Sequence, residues 1–388
     1  MTSSYKRINR FIVSPLVMLS TPWLIVSMLY LIDATTNLVP IPSAVTVLFT
    51  SVFIVLLISQ FLTMQKKSTS VVLISTESLK FQLKWILVVW IIGSVLEILF
   101  SGGLPIFWAL QGSEKDYTNF GLPSVHGLMN GLYFALTGGL AFIYYADKSK
   151  RVLLLLALML CWPVLMLGRG ILLTALIQVM VLYLFFNGLS RKVVFKVILF
   201  ALATIVLFGI IGDMRGVENP FRYLVTESYV SIFEKLPAGF LWVYIYITSP
   251  LSNYAFNAGI LEPSMSFEHS TVNLYPTLLR PEGLVRADSF DFVDPSLNVS
   301  TIFASSHSDF GYLGDVAIIF LLLAWSFYWF YKLKKSVYYI LPYAMVCCVL
   351  IFSVFYNLFL LYPYLFSTVL QGFIAKQSVQ LVKSQKTT

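Results

Sequence analysis

Charge is the scarcest commodity in this chain. Of its 388 residues only 11% are Asp, Glu, Lys or Arg, against 58% hydrophobic, whereas about 25% charged is ordinary for a soluble globular protein. A water-soluble multidomain protein is thereby excluded and an integral membrane protein is expected. Cysteine is rarer still. Cys161, Cys347 and Cys348 all fall inside apolar runs with no C-x-x-C spacing, which leaves neither an extracytoplasmic disulfide framework nor a cysteine metal site. They read as small membrane-buried hydrophobes. There are three histidines, no two of them at i, i+3 or i, i+4, so the helical spacing that favours a metal site is missing too. No repeat of fixed period, low-complexity tract, interdomain linker or nucleotide-binding loop is present. A single polytopic domain over 1–388 follows. Phe11 to Leu31 is too long for the apolar core of a cleavable signal peptide and reads as a retained first span.

Long apolar runs are abundant. A spanning helix needs about 20 mostly apolar residues, and ten segments are predicted: 11–31, 44–64, 85–101, 127–145, 152–167, 171–187, 193–211, 313–331, 337–355 and 358–374. An even number puts both termini on one side. The net charge of +8 would suit nucleic acid, but its distribution does not. Clusters at Lys6–Arg10, Lys66–Lys84, Lys148–Arg151, Arg191–Lys196, Lys332–Lys335 and Lys376–Lys386 place 19 of the 26 basic residues on one side, with only Glu77 and Asp147 as acids there. The positive-inside rule makes that side cytoplasmic and both termini internal.

The long polar stretch 212–312 then lies outside as one large loop. Within it, 236–261 is apolar enough to be considered an eleventh span. Its aromatics and the break at Pro250, Ser252 and Asn253 suit an interfacial or re-entrant element that roofs a cavity. The predicted class is all-α, with about ten transmembrane helices and a loop containing interfacial helices.

The residues able to do chemistry gather on that outer side. Arg169, in Gly168-Arg169-Gly170, separates two apolar runs short enough to keep it near the outer interface; an arginine at helix centre costs about 2.5–3.5 kcal/mol on insertion scales. The flanking glycines favour close backbone approach, and a snorkelling turn arginine is the alternative. Arg215, Arg222, Arg280 and Arg286 supply forks suited to phosphate, or else salt bridges to the loop's own acids. His126, His269 and His307 are candidate general bases or ordinary polar residues. Asp309 and Asp315 either cap the eighth span or orient a base. Glu97 is a lone carboxylate near the outer end of the third span, functional by default unless a partner such as Arg169 makes it structural.

Four stretches carry a resemblance. They are Gly102-Gly103-Leu-Pro105-Ile-Phe107 with Phe120-Gly121-Leu-Pro123-Ser-Val-His126-Gly127; Gly168-Arg169-Gly170; Gly212-Asp213-Met-Arg215; and Asn298-Val-Ser-Thr301 with Asp309-Phe-Gly311-Tyr-Leu-Gly314. In their order and in the layout of spans and loop, the chain resembles the Wzy-type polymerases, which join oligosaccharide repeat units of O-antigen and related polysaccharides. The resemblance implies a metal-independent, cofactor-free glycosyltransferase of the all-helical, GT-C-like kind in the bacterial inner membrane. A glycan would move from undecaprenyl diphosphate onto an undecaprenyl-diphosphate-linked repeat unit at the periplasmic face, with lipids and a chain-length regulator as partners and no nucleic acid. In that setting Arg169 and Arg215, helped by Arg280, would stabilise the departing diphosphate, and His307 or Asp309 would take the proton, with His126 as second candidate. Arg222, Arg286 and the Tyr275–Pro276 turn would bind substrate. The alternatives are the O-antigen ligase, which shares donor and compartment, a lipid-linked oligosaccharide flippase, and a transferase using polyprenyl-monophosphate sugars. The last usually shows a carboxylate pair in its first external loop, where this chain has only Asp33.

Overall fold

The computed structural model describes residues 3–63, 69–115, 117–213, 221–282, 284 and 290–387. Among the described residues the regular structure is helical apart from one antiparallel ribbon, in which β1 (Ser3–Asn9) pairs with β2 (Thr69–Ser75). Its first seven α-helices are α1 (Pro15–Ile32), α2 (Ser43–Thr63), α3 (Glu77–Ser101), α4 (Pro105–Leu110), α5 (Val125–Asp147), α6 (Lys150–Leu165) and α7 (Arg169–Asn187). The second seven are α8 (Arg191–Asp213), α9 (Glu227–Phe233), α10 (Ala238–Ile260), α11 (Glu268–Thr271), α12 (Ala304–Lys335), α13 (Ile340–Phe352) and α14 (Tyr362–Thr387). Each of the ten apolar segments predicted from sequence coincides with one of the long helices. Among the described residues, five stretches are long and apolar enough to cross a membrane: Pro15–Ile32, Glu77–Leu110, Val125–Asp147, Arg169–Asn187 and Ala304–Lys335.

Local chemistry sets the boundaries. Proline occupies the first turn of α1 and of α4, where its missing N–H costs nothing. α3 stops at Gly102, which takes the left-handed conformation (φ +74°) and returns its N–H to Ile98, a common helix ending. Several helices outrun the apolar windows because charged termini remain helical beyond the apolar stretch; α3 starts at Glu77 and not near 85, and α14 continues to Thr387.

The helices alternate in direction, so the bundle has two distinct ends. At the basic end the ribbon docks through Tyr338, whose hydroxyl donates to the Ser75 carbonyl at 2.6 Å and accepts its N–H at 3.0 Å. The two acids of that end are both engaged: Asp147 binds Lys80 at 2.8 Å and accepts from the Thr76 hydroxyl, and Glu77 binds Lys80 at 3.2 Å. α5 and α13 form the centre, with nearly every α13 side chain buried. α1, α2, α3, α8 and α12 turn many large apolar side chains outward, including Met28, Phe61, Ile92, Leu99, Phe195 and Phe320. So broad an exposed apolar surface suits lipid and not water.

Two features of the opposite end create the site. α13 has 13 residues, about 20 Å at 1.5 Å per residue, and stops short of its neighbours' ends. The chain from Ser353 to Leu361 fills the shortfall as coil and a single 3-10 turn (Leu358–Leu360). The predicted spans 337–355 and 358–374 both included part of this recess, because its residues are as apolar as the helix before them. Secondly, α12 begins at Ala304, nine residues before the predicted 313, and is broken at Phe310 and Gly311 (φ +56°, ψ −141°). The short arm Ala304–Asp309 folds back on the long arm so closely that a Cβ on Gly314 would sit 1.9 Å from the Ser306 carbonyl oxygen.

The described part of the 212–312 stretch is less a loop than a layer. α10 runs unbroken through Pro250, and its contacts all reach the same end of the bundle. Gly239 meets Gly209 in the last turns of α8, Tyr244 bonds the end of α1 at Leu29 and Ala34, Ser252 bonds Asn37 and Val39, and Tyr254 reaches Asp315 at the head of α12's long arm. The helix therefore lies across the ends of its neighbours.

Candidate functional site

All three histidines pair with a carboxylate at this end of the bundle. His126 Nδ1 lies 3.0 Å from Glu97 Oε1, His269 Nδ1 lies 2.8 Å from Asp309 Oδ1, and His307 Nδ1 lies 2.7 Å from Asp315 Oδ2. In each, Nδ1 faces the acid, so the neutral ring carries its basic lone pair on Nε2. The sequence shows three scattered histidines and offers no means of pairing them, since their partners lie between 8 and 40 residues away.

The pairs differ in exposure, and that decides what each can do. His307 is 2% exposed, with its ring edge-on between Tyr254 and Tyr312. Asp315 also accepts from the Tyr254 hydroxyl at 2.6 Å. Burial, and then the charge of Asp315, hold that phenol well above its ordinary pKa, so it stays a donor. This triad holds the two arms of α12 together and is closed to solvent.

His269 is more open. It sits on the short helix α11, and Asp309 receives its ring N–H, its backbone N–H at 3.0 Å and the Ser270 N–H at 2.8 Å. Asp309 is fully buried; its carboxylate caps α11 and fixes the imidazole. Two further bonds clasp the segment before α11 to the kinked arm, from the N–H of Ser264 to Ser308 O and from Met265 to Asp309 O. The break in α12 frees those carbonyls to accept.

His269 opens on a cavity of about 100 Å³, whose other lining residues include Asn273, Phe290, Phe292, Asn298, Tyr356 and Asn357. Its walls come from three places. The floor is the recess after α13. One wall is the short arm of α12. The other is the 290–300 segment, held by two buried asparagines of α10: Asn253 donates to the carbonyls of Leu297 and Val299 at 2.7 Å and accepts from Val293, while Asn257 exchanges bonds with the Asp291 backbone at 2.6 and 3.0 Å. These asparagines marked a break in an apolar run when read in sequence; they serve instead to position a loop. A narrower cleft, lined by Tyr246, Ser249 and Asn298, adjoins the cavity through Asn298.

Arg169 stands beyond that cleft, in the first turn of α7. Its guanidinium lies over Trp242 (4.9 Å) and Tyr246 (5.4 Å), and Nη2 donates to the Tyr246 hydroxyl at 3.3 Å. Arginine stacks well on aromatic faces because its planar cation is weakly hydrated. Close approach is made by neither flanking glycine: a Cβ on Gly170 would meet nothing within 4 Å, and one on Gly168 would touch mainly the end of Ile171. Gly212 is the crowded position, where a Cβ would come 3.0 Å from Arg169 Nη1 and from the Trp242 ring. Nor is Arg169 the partner of Glu97, which binds His126.

The other arginines divide. Arg222 is exposed and follows Phe221, which packs edge-on against both Trp242 and Tyr246. Arg280 belongs to a different corner; its segment is tied to the start of α5 by a bond from the Leu278 N–H to Ser124 Oγ, near the half-exposed His126. Tyr275 is exposed beside Pro276. Arg215 and Arg286 lie outside the described residues, and among the described residues no cluster of His, Cys, Asp and Glu could hold a metal ion. No protein-family model, curated protein or solved structure matches this chain.

Proposed function

We propose that the protein is a membrane glycosyltransferase of the Wzy polymerase type, moving a glycan from a lipid diphosphate onto a hydroxyl of a second lipid-linked oligosaccharide at the outer face of the inner membrane. The observation that carries the reading is the His269–Asp309 pair opening on a cavity, with Arg169 stacked on the aromatic side chains Trp242 and Tyr246 beyond it. In this scheme His269 Nε2 accepts the proton of the attacking hydroxyl while Asp309 stabilises the imidazolium. The hydroxyl oxygen bonds to the anomeric carbon of the donor as its bond to the diphosphate oxygen breaks. The leaving diphosphate carries the electron pair away as negative charge, beside Arg169 and Arg222. The proton is later returned to solvent.

This reading moves the base from His307, which is sealed between two tyrosines, to His269, and gives Asp309 the role of orienting it. The distribution of lysine and arginine supports internal termini.

A polysaccharide gel of a deletion strain, with and without the restored gene, tests the function. Single repeat units on the lipid core, returning to long ladders on complementation, are the expected result. Complete loss of repeat units from the core would identify a ligase instead, and an unchanged ladder would overturn both.

A further inference from the structure

We infer that the 261–267 strap between α10 and α11 is seated, through Met265 and Phe267, in the bilayer leaflet at the cavity end. The occupant of this apolar surface is membrane lipid, and the seat holds the His269–Asp309 pair at headgroup depth.

Depth follows from α12. Its last turn carries Lys332, Lys334 and Lys335, and lysines belong at a membrane–water boundary. At about 1.5 Å per residue the long arm rises roughly 28 Å from Lys332 to Leu313, against a hydrocarbon core of about 30 Å. Leu313 therefore stands at the opposite edge of the core. Between the two, Val316, Phe320 and Leu321 form an exposed apolar stripe, while Ile318, Ile319 and Leu322 are buried behind it. The strap packs on the head of this arm. A Cβ on Gly311 would come 3.0 Å from the Pro263 ring, and Phe267 meets Phe310 edge-on at 4.7 Å. At this level Leu313, Met265 and Phe267 are 77%, 70% and 68% exposed, in series with the stripe below them.

The backbone of the strap is prepared for lipid, where polar groups must find partners within the protein. Pro263 has no N–H to satisfy. The N–H groups of Ser264 and Met265 donate to the Ser308 and Asp309 carbonyls at 2.9 and 2.8 Å. The Ser264 and Ser266 hydroxyls bond each other at 3.0 Å. The Phe267 carbonyl accepts both the N–H and the hydroxyl of Thr271, at 3.0 and 2.7 Å. Glu262 and Glu268, both exposed, bracket the segment. Their charges stay in water and limit the seat to the boundary between headgroups and hydrocarbon.

The consequence falls on the imidazole. His269 follows Phe267 by two residues, within about 7 Å along the chain, and the strap is bonded to the backbone of Asp309 itself. A seated strap sets the level of the pair at the layer where lipid phosphates lie. The seat stands whatever reaction His269 serves; for the glycosyltransferase reading it adds that the diphosphate and the base share one depth.

Spin labels on single cysteines test the seat, with Cys161, Cys347 and Cys348 replaced by alanine and the full chain in vesicles of phosphatidylethanolamine and phosphatidylglycerol. Labels at Met265→Cys and Phe267→Cys should collide with oxygen more than with a water-soluble nickel chelate, as at Leu321→Cys on the stripe and opposite to Ser190→Cys in its exposed turn. Either strap variant decides the matter if the other does not fold. A label at Glu268→Cys, next to His269, should be relaxed by nickel chelated on lipid headgroups. Nickel preference at a folded strap variant, or no relaxation at Glu268→Cys, would overturn the inference. So would an oxygen preference that arises only when undecaprenyl diphosphate is added, since a substrate tail and not the bilayer would then fill the surface. The polysaccharide gel fails separately: an unchanged ladder removes the polymerase reading and leaves the strap in lipid, and a strap in water leaves the gel as it was.

Discussion

At the scale of single residues, the decisive chemistry is how each imidazole is held. His269 and His307 have the same kind of partner at nearly the same distance, yet one lines a cavity and the other is sealed. Their substitution should therefore separate. His269→Gln should leave the protein folded in the membrane and cut chain extension by about 10²–10⁴, the usual contribution of a positioned base, as read from polysaccharide gels at matched protein level. His307→Ala should instead leave the buried Asp315 with only its bond from Tyr254, a loss of about 1–3 kcal/mol, seen as a lower thermal midpoint in detergent before any assay is run. Arg169→Lys preserves charge but loses the planar fork and the stacking on Trp242 and Tyr246; a fall in extension of about tenfold or more is expected, and full activity would reduce Arg169 to a point charge. Sequence singled out the three histidines and the carboxylates Glu97, Asp309 and Asp315, which the structure brings together in pairs, because few ionisable groups survive in so apolar a chain. It could not pair them. Glu97 looked available to Arg169 because both lie near outer helix ends, and only the packing of α3 against α5 brings His126 to it instead.

At the scale of elements, each of the ten apolar windows fell on a helix, but α10 was not among them, and they missed the two irregularities beside the cavity. Hydropathy cannot register a helix that stops early inside apolar sequence, as α13 does at Phe352, nor one that begins early in polar sequence, as α12 does at Ala304. The ribbon of β1 and β2 was missed for a related reason: a short strand at a basic, partly apolar terminus has no length signal to set against a helix. The kink in α12 was legible in part, since Gly311 and Gly314 were among the residues noted, but their reason is tertiary. Gly311 takes a left-handed φ, and Gly314 admits the Ser306 carbonyl. Gly314→Ala should thus force the two arms apart, costing about 1–3 kcal/mol and with it the clasp of Ser264 and Met265. Gly170→Ala, in the open first turn of α7, should be neutral or stabilising by up to about 1 kcal/mol. Thermal denaturation of the two purified variants checks the pair, and equal effects would show that the kink is not held by this contact.

At the scale of the whole molecule, one question governs every role assigned above: which compartment does the cavity face? The basic residues collect at the end opposite the cavity, and the polar layer formed by α9, α10, α11 and the short arm of α12 covers the other. The first arrangement is what the positive-inside rule expects of a cytoplasmic face. Cysteine is scarce enough to test this directly. With Cys161, Cys347 and Cys348 replaced by alanine, single cysteines at exposed Leu278 and Ser190 mark the two ends. Leu278 belongs to the segment tied to Ser124, near the cavity, and Ser190 to the turn between α7 and α8 at the basic end. In intact spheroplasts a membrane-impermeant maleimide should label Leu278→Cys and spare Ser190→Cys until the membrane is permeabilised. The reverse pattern would put His269 and the arginines in the cytosol, where no undecaprenyl-diphosphate glycan awaits extension, and the polymerase reading would fall with it. Labelling of both positions from outside would mean that an even number of segments crosses between them, with α10 the first segment to re-examine.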